Sequence, residues 1–377
     1  MKLSDITNVL ILLFILMVLG LLYRRYEDKR MREENKNNYD AIQQYLLDDV
    51  TLGKSKKPIL WIYVPYEYNS RNWLSFGSRN SFELNQPYLY LTIRSIIKHC
   101  NDSFTICIFD DNSFKKLMPD WSIDLTRIAD PILSNMRELV RMKLLYKYGG
   151  LMCPISFLCM KDLFGLYTKG IRGNKMFVCE TVDRNATSST QNFYPSISFC
   201  GAPKECGTVA EMCNYIQLVA SHDHTAESKF VGTYDTWILQ KIQNGNINLI
   251  PGVEIGTKTA HEDPVILDDL MSNHYIDLYK DTYGILIPAK ELLNRLNYGW
   301  FVRSSARQVM ESDTIIGNYL LLSIGHGPHD LLEPLEPRTN QAIQREFVGF
   351  WKLPSDAPYY GLKPNYLGNN LIKNVHP

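Results

Sequence analysis

The chain has 377 residues and a formal net charge of zero, from 40 Lys and Arg against 40 Asp and Glu. Hydrophobic residues make up 45% and charged residues 21%, a globular composition that excludes a disordered chain, a collagen-like repeat and a multi-span membrane protein. The zero net charge argues against nucleic acid as a partner, because such binding depends on neutralising phosphates.

Residues 6–23 form an uncharged apolar run, ITNVLILLFILMVLGLLY. As a helix this run would extend about 27 Å, close to the hydrocarbon thickness of a bilayer. The alternatives are a buried core helix and a cleaved signal peptide, but Tyr23 is followed by Arg24 where a cleavage site needs small residues. The run therefore predicts an uncleaved, single-pass membrane anchor over residues 1–23.

Basic residues cluster on the C-terminal side of this run. Lys2 is the basic side chain before it, and those that follow it are Arg24, Arg25, Lys29, Arg30, Arg32 and Lys36. The positive-inside rule then places the large C-terminal part in the cytoplasm, while the alternative of a lumenal domain stays open. The polar residues 24–57 predict a stem between the membrane and this domain.

From residue 58 the pattern changes to strands that alternate with helices. Continuous apolar runs predict strands at 58–65 and 103–110, and Pro87 opens a predicted helix between them. An amphipathic stripe predicts a second helix over 135–148, which Gly149 ends.

Further strands and helices follow along the chain. They are predicted at 176–181, 195–201, about 205–220, 234–243, 248–252 and 310–323. This alternation predicts an α/β fold with a mainly parallel sheet. We expect one domain over 58–255 and a C-terminal extension over 256–377 that packs on this domain or completes it.

The eight cysteines lack the spacing of a zinc site, and several lie within apolar runs. We therefore expect buried thiols, although an even number of cysteines also permits disulfides.

Two carboxylates, Asp110 and Asp111, directly follow the predicted strand at 103–110. In an open α/β sheet, ligands bind outside the carboxyl ends of the strands. Carboxylates at this place could hold a ribose hydroxyl or a metal ion. The alternative is an Asx-type turn that only ends the strand.

The segment 134–163 carries a helical arginine, Arg141, and the pair Gly149-Gly150 after seven intervening residues. It resembles the capsular-polysaccharide-synthesis type of glycosyltransferase and related enzymes with a GT-A nucleotide-sugar-binding fold. The resemblance covers about residues 58–163. It implies a GT-A-like (Rossmann-like) domain in which Arg141, Gly149 and Gly150 bind the nucleotide-sugar donor.

The chain departs from the family's pattern at the residues that carry the chemistry. Glu138 stands in place of an aspartate and is the candidate catalytic residue, and Arg137 stands in place of a serine. The family's Asp-x-Asp motif, which holds a Mn or Mg ion on the diphosphate, is here Pro154-Ile155-Ser156. Ser156 is thus a weak donor-site candidate, and the metal ion lacks its usual ligands. Either Asp110 or Asp111 serves instead, or the domain no longer catalyses transfer.

Glu138 and Arg141 also have a purely structural interpretation. Three residues apart on one helix, they could simply form an ion pair. Asn135 and Glu138 could form a capping box at the start of the helix.

The sequence therefore leads to two functional hypotheses. The first is a membrane-anchored glycosyltransferase that moves a sugar from a nucleotide-sugar donor to a glycan or a lipid-linked acceptor. The alternative is a catalytically inactive protein with the same fold, which acts as a membrane-tethered binding or structural component.

Overall fold

A computed structural model describes residues 12, 16–23, 25, 45, 52–64, 86–111, 113–125, 128, 132–184, 191–221, 233–304 and 306–325. The chain divides into two compact units, residues 1–47 and 48–377.

In the first unit, residues 16–23 are helical and their apolar side chains are exposed, as for Leu19 and Leu22. The predicted anchor over 6–23 lies partly outside the described residues, and most of the predicted stem over 24–57 lies outside them as well. Among the residues that are described, no helix is long and apolar enough to cross a membrane.

The second unit is built around a six-stranded sheet. In chain order, the strands of this sheet and of a smaller one are β1 (Ile59–Tyr63), β2 (Thr105–Phe109), β3 (Gly150–Cys153), β4 (Phe157–Cys159), β5 (Met176–Arg184), β6 (Gln191–Ala202), β7 (Ile247–Ile250) and β8 (Gly284–Leu286). The large sheet has the order β2-β1-β3-β6-β5-β7, and β6 runs antiparallel to the other five. β4 and β8 form a separate antiparallel pair.

Helices flank the sheet, which confirms the prediction of an α/β fold with a mainly parallel sheet. They are α1 (Pro87–Cys100), α2 (Phe114–Leu117), α3 (Ile132–Tyr148), α4 (Phe164–Gly170), α5 (Gly207–Ser221), α6 (Thr233–Gln243), α7 (Leu267–Met271), α8 (Ala289–Asn294), α9 (Gly299–Arg303), α10 (Ala306–Met310) and α11 (Ile315–Ile324). Short 3-10 turns cover Gly252–Glu254 and Leu296–Tyr298.

The helix predicted over 310–323 is present as α11, but it begins at Ile315 and not at Met310, which ends the separate short helix α10. The hydroxyl of Thr314 accepts a hydrogen bond from the N–H of Gly317 (3.1 Å) and caps the start of α11. A side-chain cap of this kind satisfies one of the N–H groups that a new helix leaves open, so it favours a fresh start after the break.

The glycine pair sets the path from α3 into the centre of the sheet. Gly149 (φ +69°) donates its N–H to the carbonyl of Leu145 (2.8 Å) and ends the helix in the left-handed conformation. Gly150 (φ +106°) then begins β3 so close to β1 that a Cβ atom would lie 2.1 Å from the carbonyl oxygen of Ile59. Both glycines are therefore required by the backbone.

The core continues across the predicted domain boundary near residue 255. Trp61 and Ile62 of β1 are fully buried in the sheet. A further cluster joins Tyr88 of α1 to residues of the C-terminal region, among them Trp300 and Phe301. Residues on both sides of the boundary therefore share one apolar cluster.

All eight cysteines are buried and carry free thiols, which confirms the prediction of buried thiols. The sulfur atoms of Cys100 and Cys159 lie 3.9 Å apart. This separation exceeds the disulfide bond length of about 2.05 Å, so the two thiols are in contact but not bonded.

Candidate functional site

Five side chains gather where β1 and β2 end: Tyr63, Asp111, Arg137, Glu138 and Arg141, here named the Tyr63 cluster. The carboxyl ends of these parallel strands meet at one edge of the sheet, and the first half of α3 lies at the same edge. Arg137 and Arg141 are four residues apart and so share one face of α3. Ligands of open α/β sheets bind at such an edge.

Asp111 is held from two sides. Its Oδ1 atom accepts a hydrogen bond from the hydroxyl of Tyr63 (2.5 Å). The guanidinium of Arg137 donates from Nε to both carboxylate oxygens (3.2 Å each) and from Nη2 to Oδ2 (2.5 Å). The side chains of Arg137 and Asp111 are only 17% and 11% exposed, so water screens this ion pair less than a surface pair. Of the two sequence-predicted carboxylates, Asp111 therefore belongs to the cluster.

Arg141 is buried, with 9% of its surface exposed. Its Nη1 atom donates to both carboxylate oxygens of Glu138 (2.8 and 2.9 Å), and its Nη2 atom donates to the carbonyl of Ser198 on β6 (3.2 Å). Its guanidinium lies 5.8 Å from the ring centre of Tyr63. The buried Nε–H has no hydrogen-bond partner among the described residues. A buried N–H without an acceptor costs about 1–3 kcal/mol, so this position is suited to an acceptor atom of a ligand.

Burial is the main cause that raises the pKa of Tyr63, and the hydrogen bond to Asp111 and the charge of that carboxylate raise it further. The nearby guanidinium groups of Arg137 and Arg141 act in the opposite direction. The phenol therefore stays protonated at neutral pH and serves as a hydrogen-bond donor, and both arginines lie within electrostatic reach of it.

Tyr234 of α6 extends the cluster along α3. Its hydroxyl donates to Oδ1 of Asn135 (2.7 Å), and burial, followed by the charges of Glu138 and Tyr215, raises its pKa. Because α3 begins at Ile132, Asn135 lies inside the helix. The suggested capping box between Asn135 and Glu138 is therefore wrong, whereas the suggested ion pair between Glu138 and Arg141 is confirmed.

Asp110 lies beside Asp111 in the sequence but turns toward a different partner. Its Oδ1 atom accepts hydrogen bonds from the backbone N–H of Ser113 (2.9 Å) and from the Ser113 hydroxyl. This is the Asx-type turn that the sequence offered as the alternative to a ligand-binding role.

Ser156 is buried in the turn between β3 and β4. The hydroxyl of Thr92 on α1 donates to the carbonyl of Ile155 (2.5 Å), and the N–H of Ile287 donates to the carbonyl of Ser156 (3.1 Å). These bonds hold the segment Pro154-Ile155-Ser156 against α1 and the chain after β8. Its side chains present one neutral oxygen and no carboxylate.

The structure does not bring Gly149 and Gly150 to the Tyr63 cluster. Gly149 ends α3 and Gly150 begins β3, so the pair lies at the amino ends of β1 and β3, whereas the cluster lies at the carboxyl ends. The glycine pair shapes the backbone at one edge of the sheet, and the predicted ligand-binding role receives no support from its position.

Sequence reasoning did not identify Tyr63 or Ser198, and it noted Arg137 only as a departure from the family. A signal for Tyr63 was available, because a tyrosine ends an otherwise apolar strand at the edge where ligands bind. Ser198 contributes its backbone carbonyl, which no side-chain pattern can reveal.

Within the described ranges, no group of three or more His, Cys, Asp or Glu side chains could hold a metal ion. In comparisons with known proteins, no family model matches this chain and no curated protein sequence matches it significantly.

Proposed function

We propose that the Tyr63 cluster binds the diphosphate of a nucleotide sugar, and that the chain transfers the sugar to a glycan or a lipid-linked acceptor. The observation that carries this proposal is the buried Nε–H of Arg141, which has no acceptor among the described residues. A phosphate oxygen at this position would recover the cost of the unsatisfied donor, about 1–3 kcal/mol.

The guanidinium donors of the cluster suit an anion with several oxygen atoms, such as a diphosphate. Two guanidinium groups lie one helical turn apart, and such groups match phosphate oxygens with their fork of donors. Each is already paired, Arg137 with Asp111 and Arg141 with Glu138, so the four groups together carry no net charge. Arg141 can nevertheless donate from Nε to a ligand oxygen while Glu138 keeps its bonds to Nη1.

Under this proposal, Glu138 positions Arg141, because both of its carboxylate oxygens accept hydrogen bonds from Nη1. Its catalytic role stays a prediction.

Two observations favour the second candidate, a binding protein that does not transfer sugar. The segment Pro154-Ile155-Ser156 supplies no carboxylate for a metal ion, and both arginines of the cluster are already neutralised. A leaving diphosphate would therefore meet less positive charge than it meets beside a divalent cation. This difference affects the rate of transfer more than it affects binding.

We also propose that residues 6–23 anchor the chain in a membrane, with the large domain on the cytoplasmic side. The uncharged run and the basic residues that follow it support this proposal. An anchor would hold the domain close to a lipid-linked acceptor.

The donor-binding proposal is tested by the thermal stability of the full-length chain in detergent, titrated with UDP-sugars and GDP-sugars. A ligand at a hundred times its dissociation constant adds about 2.7 kcal/mol of stability, which is readily detected as a rise in Tm. The double variant Glu138→Gln with Arg141→Met removes both charges together and should abolish the rise. No rise with any donor would overturn the proposal, as would a full rise in this variant.

A matched control comes from a second arginine–carboxylate pair in the C-terminal region. Arg295 lies 2.7 Å from Asp268, and its side chain is 21% exposed. Arg295 also lies 2.7 Å from Glu291, whose side chain is only 10% exposed. The double variant Glu291→Gln with Arg295→Met therefore removes the same two charges outside the Tyr63 cluster and leaves the 41% exposed Asp268 in contact with solvent. It should keep the full rise in Tm with the donor.

Turnover then separates the two candidate functions. Release of nucleoside diphosphate from the bound donor, dependent on Arg141, would support a transferase. Binding without any release over hours, with and without added glycan or lipid-linked acceptors, would support the non-catalytic protein.

A further inference from the structure

The family that the sequence resembles implies a divalent cation at the diphosphate, and the carboxylates of this site do not fit one. Both oxygens of Asp111 already accept hydrogen bonds, from Tyr63 and from Arg137. Oδ1 of Asp110 accepts two hydrogen bonds from Ser113. A cation could reach Asp111 only by displacing the guanidinium of Arg137, which already lies against both of its oxygens.

The position of the missing Asp-x-Asp motif offers no substitute. Ser156 is buried in a turn whose backbone is bonded to Thr92 of α1 and to Ile287 after β8. Its single hydroxyl is a weak, neutral ligand, whereas Mn²⁺ and Mg²⁺ require charged oxygen donors to compensate for the loss of their water shell.

We propose that the guanidinium of Arg137, held on Asp111, takes the place of the divalent cation, so that nucleoside diphosphates bind at the Tyr63 cluster without a metal ion. This inference rests on the proposed function. In it, Asp111 keeps the task that a carboxylate ligand has in a metal site, which is to hold a positive charge at a fixed place.

The geometry of the pair suits this task. Arg137 contacts Asp111 through both Nε and Nη2, so its guanidinium plane is fixed in two directions. Tyr63 donates to the same carboxylate and also lies against Arg141, which ties the two arginines to one centre. Because Arg137 and Arg141 are four residues apart on α3, they present two guanidinium groups along one helical face, as contact with both phosphates of a diphosphate requires.

If Arg137 takes the place of a metal ion, removing its side chain has a consequence that the loss of a merely structural ion pair would not have. In Arg137→Ala, the carboxylate of Asp111 loses its cation but remains at the edge of the sheet. A divalent cation can then bind there, so binding of the nucleotide should become dependent on metal. In the double variant Asp111→Asn with Arg137→Gln, the carboxylate at position 111 is gone as well. Asp110 and Glu138 stay bonded to Ser113 and Arg141, so metal should have no effect.

The experiment measures the dissociation constants of UDP and GDP for the full-length chain by isothermal titration, in EDTA and in millimolar Mn²⁺. For the unchanged chain, we expect the two conditions to agree within about twofold. Arg137→Ala should weaken binding in EDTA by about tenfold or more, which is the loss expected for one charge-assisted contact, and Mn²⁺ should restore most of it. Arg137→Lys keeps the charge but loses the two-point contact with Asp111, so it should bind more tightly in EDTA than Arg137→Ala and gain less from Mn²⁺.

The possible results distinguish the role of Arg137 from the proposed function as a whole. If the unchanged chain binds UDP or GDP only with Mn²⁺, the role of Arg137 is overturned while the proposed function stands. If neither nucleotide binds in either condition, the proposed function fails, and this inference fails with it. Binding by Arg137→Ala in EDTA that equals that of the unchanged chain, or a loss that Mn²⁺ does not restore, would overturn the role of Arg137.

Folding of the variants is checked by their unfolding in urea without ligand. Should Arg137→Ala fail to fold, the comparison of Arg137→Lys with the neutral double variant still tests the role of the charge. The variant Arg295→Gln removes an arginine that pairs with Asp268 and Glu291 outside the cluster. It should leave the dissociation constants of UDP and GDP unchanged.

Discussion

Replacing Gly150 by alanine tests whether the glycine pair serves the backbone or the ligand. Gly150 has φ +106°, a conformation that residues with a side chain rarely adopt. An added Cβ atom would lie 2.1 Å from the carbonyl oxygen of Ile59, about 1 Å closer than real Cβ atoms approach their neighbours. The obstacle is backbone of β1 and not a flexible side chain, so it cannot move aside without disturbing the sheet.

Two costs add in this variant. An alanine forced into an unfavourable backbone region costs about 1–3 kcal/mol, and overpacking against a strand costs about 1–3 kcal/mol more. We therefore expect Gly150→Ala to lower the free energy of unfolding by about 2–6 kcal/mol, a large part of the stability of an ordinary domain. Because Gly150 lies at the edge opposite the Tyr63 cluster, the molecules that remain folded should bind the nucleotide with an unchanged dissociation constant.

The assay is urea unfolding followed by tryptophan fluorescence, with nucleotide titrations on the folded fraction. Gly207→Ala is the matched control, because Gly207 begins α5 and an added Cβ atom there would meet nothing within 4 Å. Its stability should change by less than about 1 kcal/mol. A loss below about 1 kcal/mol in Gly150→Ala would refute the reasoning, as would weakened nucleotide binding at full stability.

Three further predictions concern the cluster, the core and a buried thiol. Tyr63→Phe removes the donor to Asp111 and should lower the free energy of unfolding in urea by about 1.5–3 kcal/mol, the range for hydrogen bonds to charged groups. Phe301→Ala opens a cavity beside Tyr88, whose ring centre lies 5.5 Å away, and should cost about 3–5 kcal/mol in a single cooperative transition. Burial raises the pKa of Cys200 from 9.0 to about 12, although the charge of Arg141 lowers it and that of Glu138 raises it. The unfolded thiol therefore loses its proton first, and the free energy of unfolding should fall as pH rises from about 9 toward about 12, more steeply than in Cys200→Ala.

Each of these predictions has a result that contradicts it. Unchanged stability in Tyr63→Phe would mean that the phenol does not hold Asp111. Two separate transitions in Phe301→Ala would mean that the C-terminal region does not share its core with α1. Parallel pH profiles for Cys200→Ala and the unchanged chain would mean that Cys200 titrates near its ordinary pKa.

Elements defined by local pattern could be predicted from the sequence. The apolar runs predicted β1 and β2, and the amphipathic stripe predicted α3, because periodicity and burial of one face decide such elements within a few residues. β3 was not predicted, although it pairs with both β1 and β6 in the sheet. It has only four residues, and its strand conformation comes from this pairing and from no signal of its own.

The site was only partly accessible from the sequence. The end of a strand marked Asp110 and Asp111, and the family's spacing marked Arg141, because both signals are local. Tertiary structure decided that Asp110 closes a turn on Ser113, whereas Asp111 holds Arg137 from a helix that begins more than twenty residues later. Two adjacent residues of the same type thus acquire different roles.

By itself, the sequence determined the α/β class and the order of its main elements. Only the tertiary structure decided which charged side chains form ion pairs, and at which edge of the sheet these pairs lie. The physical reason is one of range: periodicity and turn chemistry act over a few residues, whereas an ion pair or a close backbone approach depends on partners that the fold brings together from distant parts of the chain.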